Sequence, residues 1–258
     1  MQIALSTVCL PDLNWREAFA AAAASGYRDV ELLAIQGWKH VDANAITAAE
    51  IQTETKRAGV RIIGLHGGGL DGLDESTIAS TEQYVRRVLQ LAHDLGVPLV
   101  NVNGGMMPKD GGGRPAMLQR IADSLRRLAP VLEQLGLRLT LENHYHFQIE
   151  QPEHYDGLFV SPRIGVTVDT GHFTAAGVDM PAFIRRLGPR VFHVHIKDHI
   201  GPQSVALGAG QTDNAGVVAA LGETGYAGHL SVELELHEKA VRLPAVREAL
   251  PYLRRLLA

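Results

Sequence analysis

The feature that most constrains this chain is a recurring unit: an amphipathic stretch, a glycine, then a short β-branched run within a few residues. Gly26, Gly59, Gly96, Gly136 and Gly225 each follow a helix-like stretch and lead into a strand-like one. Glycine is the expected helix stop there, because the residue after the last turn often takes a left-handed conformation that glycine alone adopts without strain. The β-branched runs predict strands over 2–8, 29–34, 60–65, 99–103, 138–142, 165–169, 191–196 and 230–234. The amphipathic patterns predict helices over 15–25, 45–58, 77–95, 117–135, 180–187 and 214–224, with 243–257 closing the chain. One unit is weak, since 151–160 contains Pro152 and Gly157 and makes a poor helix.

Strands and helices in alternation imply a parallel sheet with helices outside, because the crossovers are right-handed. Eight units in 258 residues leave about 32 residues each, which predicts a closed α/β barrel, a (β/α)8 TIM barrel, as a single domain. No G-x-G-x-x-G follows the first strand, where Val8-Cys9-Leu10-Pro11-Asp12 stands instead, so a dinucleotide-binding sheet loses its best support. The lone cysteine, Cys9, excludes a disulfide framework and a cysteine-built zinc site. A net charge of −4 argues against a nucleic-acid surface. The opening residues MQIALST carry no basic region, and no segment reaches the roughly 18 apolar residues of a membrane span. The expectation is a soluble cytoplasmic protein with no nucleic-acid or membrane partner.

In such a barrel the chemistry gathers at the C-terminal ends of the strands. Those ends read Leu65-His66-Gly67-Gly68, Asn101-Val102-Asn103, Leu141-Glu142-Asn143-His144, Val168-Asp169-Thr170-Gly171-His172, His193-Val194-His195-Ile196-Lys197-Asp198 and Ser231-Val232-Glu233-Leu234-Glu235. Four successive strands finish on Glu, Asp, His and Glu. Three neighbouring carboxylates repel one another unless a cation neutralises them. Three oxygen donors and one imidazole suit Mn2+ first, then Mg2+ or Co2+, and leave two octahedral positions for the hydroxyl and carbonyl oxygens of a sugar-like substrate. Glu142 and Glu233, at opposite ends of the arc, suit removal and return of a proton while the ion stabilises an enediolate. His66, His172, Asn103 and Lys197 are the expected substrate contacts. His193 reads equally as a core histidine or a site residue, and Glu235 as a rim residue.

With these residues in view, the chain resembles the xylose-isomerase-like TIM barrel superfamily, in particular its sugar phosphate isomerase/epimerase group. The segments that carry the resemblance are Leu139-Thr140-Leu141-Glu142-Asn143, Val166-Thr167-Val168-Asp169-Thr170-Gly171-His172, His193-Val194-His195-Ile196-Lys197-Asp198 and Leu230-Ser231-Val232-Glu233. The resemblance implies a metal held by Glu142, Asp169, His195 and Glu233, with the two glutamates as acid/base groups and His172 on a substrate oxygen. The group's ketohexose 3-epimerases carry a Glu six residues after the first metal Glu and an Arg six after the metal His; here Gln148 and Gly201 stand there. Lys197 and Arg114 are the basic candidates for a phosphate clamp, and Gly208-Ala209-Gly210 offers backbone N–H groups. The expected activity is a metal-dependent isomerase or epimerase, with a lyase on the same site as the alternative. A DNA endonuclease, which would need more histidines and a basic groove, and a catalytically dead sugar-binding protein are disfavoured. A homo-oligomer, dimer or tetramer, is expected.

Overall fold

The computed structural model describes residues 1–38 and 40–258. Eight parallel strands close into a barrel: β1 (Gln2–Ser6), β2 (Asp29–Leu33), β3 (Arg61–Leu70), β4 (Leu99–Gly104), β5 (Arg138–Glu142), β6 (Ile164–Asp169), β7 (Val191–Ile196) and β10 (His229–Val232). Each pairs with the next in the chain, and β10 returns to β1. An antiparallel hairpin, β8 (Asp198–Ile200) and β9 (Gln203–Val205), stands apart between β7 and β10. The helices are α1 (Trp15–Ala24), α2 (Ala48–Ala58), α3 (Glu75–Leu95), α4 (Arg114–Leu135), α5 (Thr170–Ala175), α6 (Met180–Leu187), α7 (Asn214–Glu223) and α8 (Lys239–Leu256). Among the described residues none is long and apolar enough to cross a membrane.

Local chemistry sets the helix ends. Asn14 and Glu17 form a capping box on α1, as Thr47 and Glu50 do on α2. Gly96 ends α3 at φ +71° and Gly136 ends α4 at φ +71°, each in the left-handed conformation expected of the stop. The weak fifth unit carries only a 3-10 turn, Pro152–Tyr155.

Several boundaries differ from expectation by a few residues, and two strand ends have a clear local cause. The strand expected over 2–8 ends at Ser6, whose hydroxyl accepts from the Val8 N–H and starts a 3-10 turn over Thr7–Cys9. The strand expected over 60–65 runs on to Leu70, so the glycines after His66 are strand, not loop: Gly69 pairs with Asn103 and Leu70 with Gly104. The register shifts between His66 and Gly69, where Gly68 takes φ +79°, so glycine there permits a bulge.

Strand alternation divides the buried residues by chemistry. Val30, Leu32, Val100, Val102, Leu139, Leu141, Val166, Val168, Val194 and Ile196 are fully buried and of one parity, forming the apolar surface on which the helices pack. Residues of the other parity line the barrel and are polar: Glu31, Asn101, Thr140, Thr167, His193, His195 and Ser231. Buried polar groups need partners, and these find one another. Thr167 Oγ1 donates to Thr140 Oγ1 at 2.8 Å, Thr140 Oγ1 to Asn101 Oδ1 at 3.1 Å, and Asn101 Nδ2 to Glu142 Oε2 at 2.7 Å. The barrel lumen is thus a hydrogen-bonded scaffold leading up to the mouth.

Candidate metal centre at the barrel mouth

The register brings the predicted ligands together. Asp169 lies opposite His195, His195 opposite Ser231, and Glu142 opposite Asn103, with Glu233 one residue beyond the end of β10. Glu142, Asp169, His195 and Glu233 are all buried, and one ligand atom of each lies within 4.8 Å of the other three. His195 Nδ1 is the hub, 2.8 Å from Glu142 Oε1, 3.0 Å from Glu233 Oε2 and 3.8 Å from Asp169 Oδ2.

Asn101 holds Glu142, and neighbours likewise aim Asp169 and His195. Asp169 caps α5, its Oδ1 accepting from the His172 N–H at 2.9 Å, which turns Oδ2 toward the cradle. Asn143 clamps the same turn, donating to the Asp169 carbonyl and accepting from its N–H. Gly171 is required by packing: a Cβ there would stand 2.4 Å from His199 Cδ2 and 2.8 Å from Lys197 Cβ. Behind His195, Glu31 Oε2 accepts from His195 Nε2 at 2.8 Å, from His193 Nε2 at 3.1 Å and from Ser231 Oγ at 3.0 Å. That bond leaves the Nδ1 lone pair of a neutral imidazole facing the carboxylates, as a metal-ligating histidine requires.

Two observations test whether the residues fit a cation. Asp169 Oδ2 and Glu233 Oε2 are buried and receive no hydrogen bond, although the Lys197 ammonium lies 2.9 Å from the former. His66, also buried, has neither ring nitrogen hydrogen-bonded, and its Nε2 lies 3.5 Å from Glu142 Oε2. Three carboxylates and an imidazole with orphaned atoms at their meeting point fit a hard divalent ion.

The electrostatics agree. Burial opposes the Glu142 charge, yet His195, His66 and Lys197 hold its carboxyl well below the usual range. Burial also opposes a charged His195, but Glu233, Glu31 and Glu142 outweigh it and raise the imidazole well above its ordinary value. Burial raises the Glu233 carboxyl against the pull of His195 and Lys197. The cradle holds positive charge tightly, as a proton on His195 or as an ion in its place.

The expected substrate contacts sit round this cradle. Asn103 lies one alternation step mouthward of Asn101, on the same face. His172 stacks on His144 at 3.6 Å between ring centroids. Burial, with His172 and Lys197 close by, pushes His144 down to about 4. Lys197 is fully buried and salt-bridged to Asp169, Glu233 and Glu235. The candidate phosphate groups are engaged elsewhere. Arg114 donates to the carbonyls of Phe147 and Gln148 and pairs with Glu150. The N–H groups of Gly208 and Gly210 donate to Asp198 Oδ2 at 2.8 and 3.0 Å, because that buried carboxylate organises the loop after the hairpin. Gln148 ties the loops together, bonding Asp71 Oδ1 at 2.6 Å and the Gly72 N–H at 2.9 Å. Gly201 turns the hairpin at φ +55°.

An open cavity of about 830 Å³ lies at the opposite end of the barrel, among Gln2, Arg61, Arg138 and His229. Arg61 and His229 both pair with Asp29 there, and none of the four candidate ligands lines it.

The model of the xylose isomerase-like TIM barrel family matches residues 19–256. The chain belongs to this family. Among its relatives is SgbU of Escherichia coli K12, provisionally named an L-ribulose-5-phosphate 3-epimerase, 23% identical over 242 residues that cover 86% of this chain and 84% of that one. Inosose dehydratase of Geobacillus kaustophilus is 29% identical over 140 residues, 48% of this chain and 46% of that one. The crystal structure of the IolI protein with a bound zinc atom shares the fold, with a TM-score of 0.83 at 18% identity over 99% of this chain and 98% of that one.

Glu31 and Asn101 complete the site without having been singled out as site residues. The available signal was parity: Glu31 is a charged residue in the middle of an otherwise buried strand, and Asn101 shares its face with Asn103.

Proposed function

We propose that the chain is a divalent-cation-dependent isomerase or epimerase that moves a proton on a small sugar, keto-polyol or related hydroxy-carbonyl compound. The observation that carries this reading is the convergence of Glu142, Asp169, His195 and Glu233 on one point, with orphaned carboxylate oxygens facing it. A bound Mn2+, Mg2+ or Co2+ would polarise the substrate carbonyl and stabilise the enediolate charge. The chain's own residues do the rest. Epimerisation takes a proton from one face of a carbon and returns one to the other, so it needs two bases. Glu142 and Glu233 supply them from positions separated in the barrel by β6 and β7. His66, with both nitrogens unbonded, would hold a substrate oxygen, and His172 and Asn103 would supply further contacts.

The substrate is unphosphorylated, in contrast to the one in the name of SgbU. Support comes from Lys197, Arg114 and the Gly208 and Gly210 amides, all of which are committed to internal partners.

The inosose dehydratase relative favours a second reading, elimination of water from a keto-sugar or keto-inositol at the same site. NMR of candidate keto-sugars in D2O separates the two. Isomerisation exchanges a carbon-bound hydrogen and yields an isomer, whereas elimination yields an unsaturated or diketo product. Exhaustive EDTA treatment should abolish either reaction and Mn2+, Co2+ or Mg2+ restore it; full activity after chelation would refute the metal role.

A further inference from the structure

Lys197 sits in a cage of its own. Its ammonium lies 2.9 Å from Asp169 Oδ2, 3.3 Å from Glu233 Oε1, 2.8 Å from Glu235 Oε2 and 3.2 Å from His172 Nε2. One aspartate, two glutamates and an imidazole repeat the donor set of the metal cradle, and Asp169 and Glu233 belong to both. An ammonium carries three N–H donors, and only the contacts to Glu235 and His172 are hydrogen bonds, so it leaves part of the surrounding donor set unsatisfied. A second grouping points to the same place: His144, His172 and Glu235 bring ligand atoms within 4.8 Å of one another. The backbone fixes the lysine as well. Its N–H donates to Thr170 Oγ1 at 2.8 Å, and its carbonyl accepts from Thr170 Oγ1 at 3.0 Å and Asn214 Nδ2 at 3.2 Å.

We propose that the Lys197 ammonium occupies a second divalent-cation position adjoining the first, so that the chain carries one exchangeable ion where its carboxylates and imidazoles could hold two. The proposal rests on the metal reading of the cradle given above. The shared carboxylates Asp169 and Glu233 would bridge the two positions, an arrangement suited to a two-ion site. The lysine supplies one fixed positive charge there and denies the position to an ion. A coordinated ion would activate water or bind a substrate oxygen; an enclosed ammonium with four protein partners does neither. The lysine thereby confines the site to single-ion chemistry.

Counting Mn2+ per chain tests this, by equilibrium dialysis and elemental analysis with EPR of the bound ion. The wild-type chain should take one Mn2+ with the spectrum of an isolated ion. Lys197→Ala should take two and show spin coupling through the shared carboxylates. Two ions in the wild type, or one in a folded Lys197→Ala, overturns the proposal and leaves the metal reading standing. No ion in the wild type overturns both. If Lys197→Ala needs Mn2+ to fold, the refolding titration followed by circular dichroism should consume two ions per chain, and failure of Mn2+ to restore the fold overturns the proposal.

Discussion

Glu31→Gln tests the support behind His195. Glu31 is fully buried, and its Oε2 accepts three hydrogen bonds, from His195, His193 and Ser231. Glutamine has the same shape but no charge, and charge-assisted hydrogen bonds are about twice as strong as neutral ones. The His195 Nε2–H is then held less firmly, and the ring is freer to turn Nδ1 away from Glu142 and Glu233. Loss of such an orienting group costs about 10–100-fold in metal affinity, or ~1.4–2.7 kcal/mol.

One effect runs the other way. In the ion-free chain Glu31 helps hold a proton on His195, whose pKa is raised well above the ordinary histidine value despite burial. An incoming cation must displace that proton, and glutamine weakens its hold. Protons compete most at low pH, so the deficit of Glu31→Gln should be smallest near about pH 6 and widen toward about pH 8 as competition fades in the wild type. Mn2+ affinity from calorimetry at both pH values, with circular dichroism to confirm the fold, decides the matter. A folded variant that binds Mn2+ within about twofold of the wild type at the higher pH refutes the orienting role. A deficit that shrinks as pH rises refutes the account of the proton.

Two further substitutions probe catalysis and packing. Glu233→Gln should retain Mn2+ but lose about 10²–10⁴-fold in turnover, the range general acid–base groups command; wild-type turnover in steady-state assays would remove Glu233 from the mechanism. Gly171→Ala forces a Cβ to within 2.4 Å of His199 Cδ2 and 2.8 Å of Lys197 Cβ. It should destabilise the fold by about 1–3 kcal/mol, visible as a lower thermal midpoint, and an unchanged midpoint would show that the contact relaxes freely.

The barrel was legible because its signals are local. A helix stop at Gly96 or Gly136 depends on a few residues on either side, and so does the alternation that marks a strand. The convergence of the four candidate ligands was legible because each lies within one residue of a strand end, and closing the barrel brings successive strand ends together whatever the loops do. Glu31 was not, because its partners are 162 and 164 residues away and its strand, DVELL, reads locally as core. Asn101 and Asn103 share a face, and nothing local says which reaches Glu142; Asn101 does. The Gly208-Ala209-Gly210 run has the composition of an anion nest, yet the Gly208 and Gly210 amides serve Asp198, ten and twelve residues away on the hairpin. Misreadings therefore fall where tertiary contact decides among locally equivalent options.

The charge distribution gives these details a common cause. Glu31, Glu142, Asp169, Glu233 and Glu235 crowd one end of the barrel, where Lys197 is, among the described residues, the ammonium that pairs with three of them, and all but Glu235 are almost completely buried. Burying one unpaired carboxylate costs several kcal/mol even after relaxation, so such a cluster persists only where its charge is answered. The chain answers part of it internally. Lys197 bridges Asp169, Glu233 and Glu235, while Asn101 and the threonines behind it hold Glu142. Asp169 Oδ2 and Glu233 Oε2 still receive no hydrogen bond, and both lie beside the Nδ1 of His195. The lumen hydrogen bonds then hold these carboxylates together at the point where the proposed divalent ion would bind.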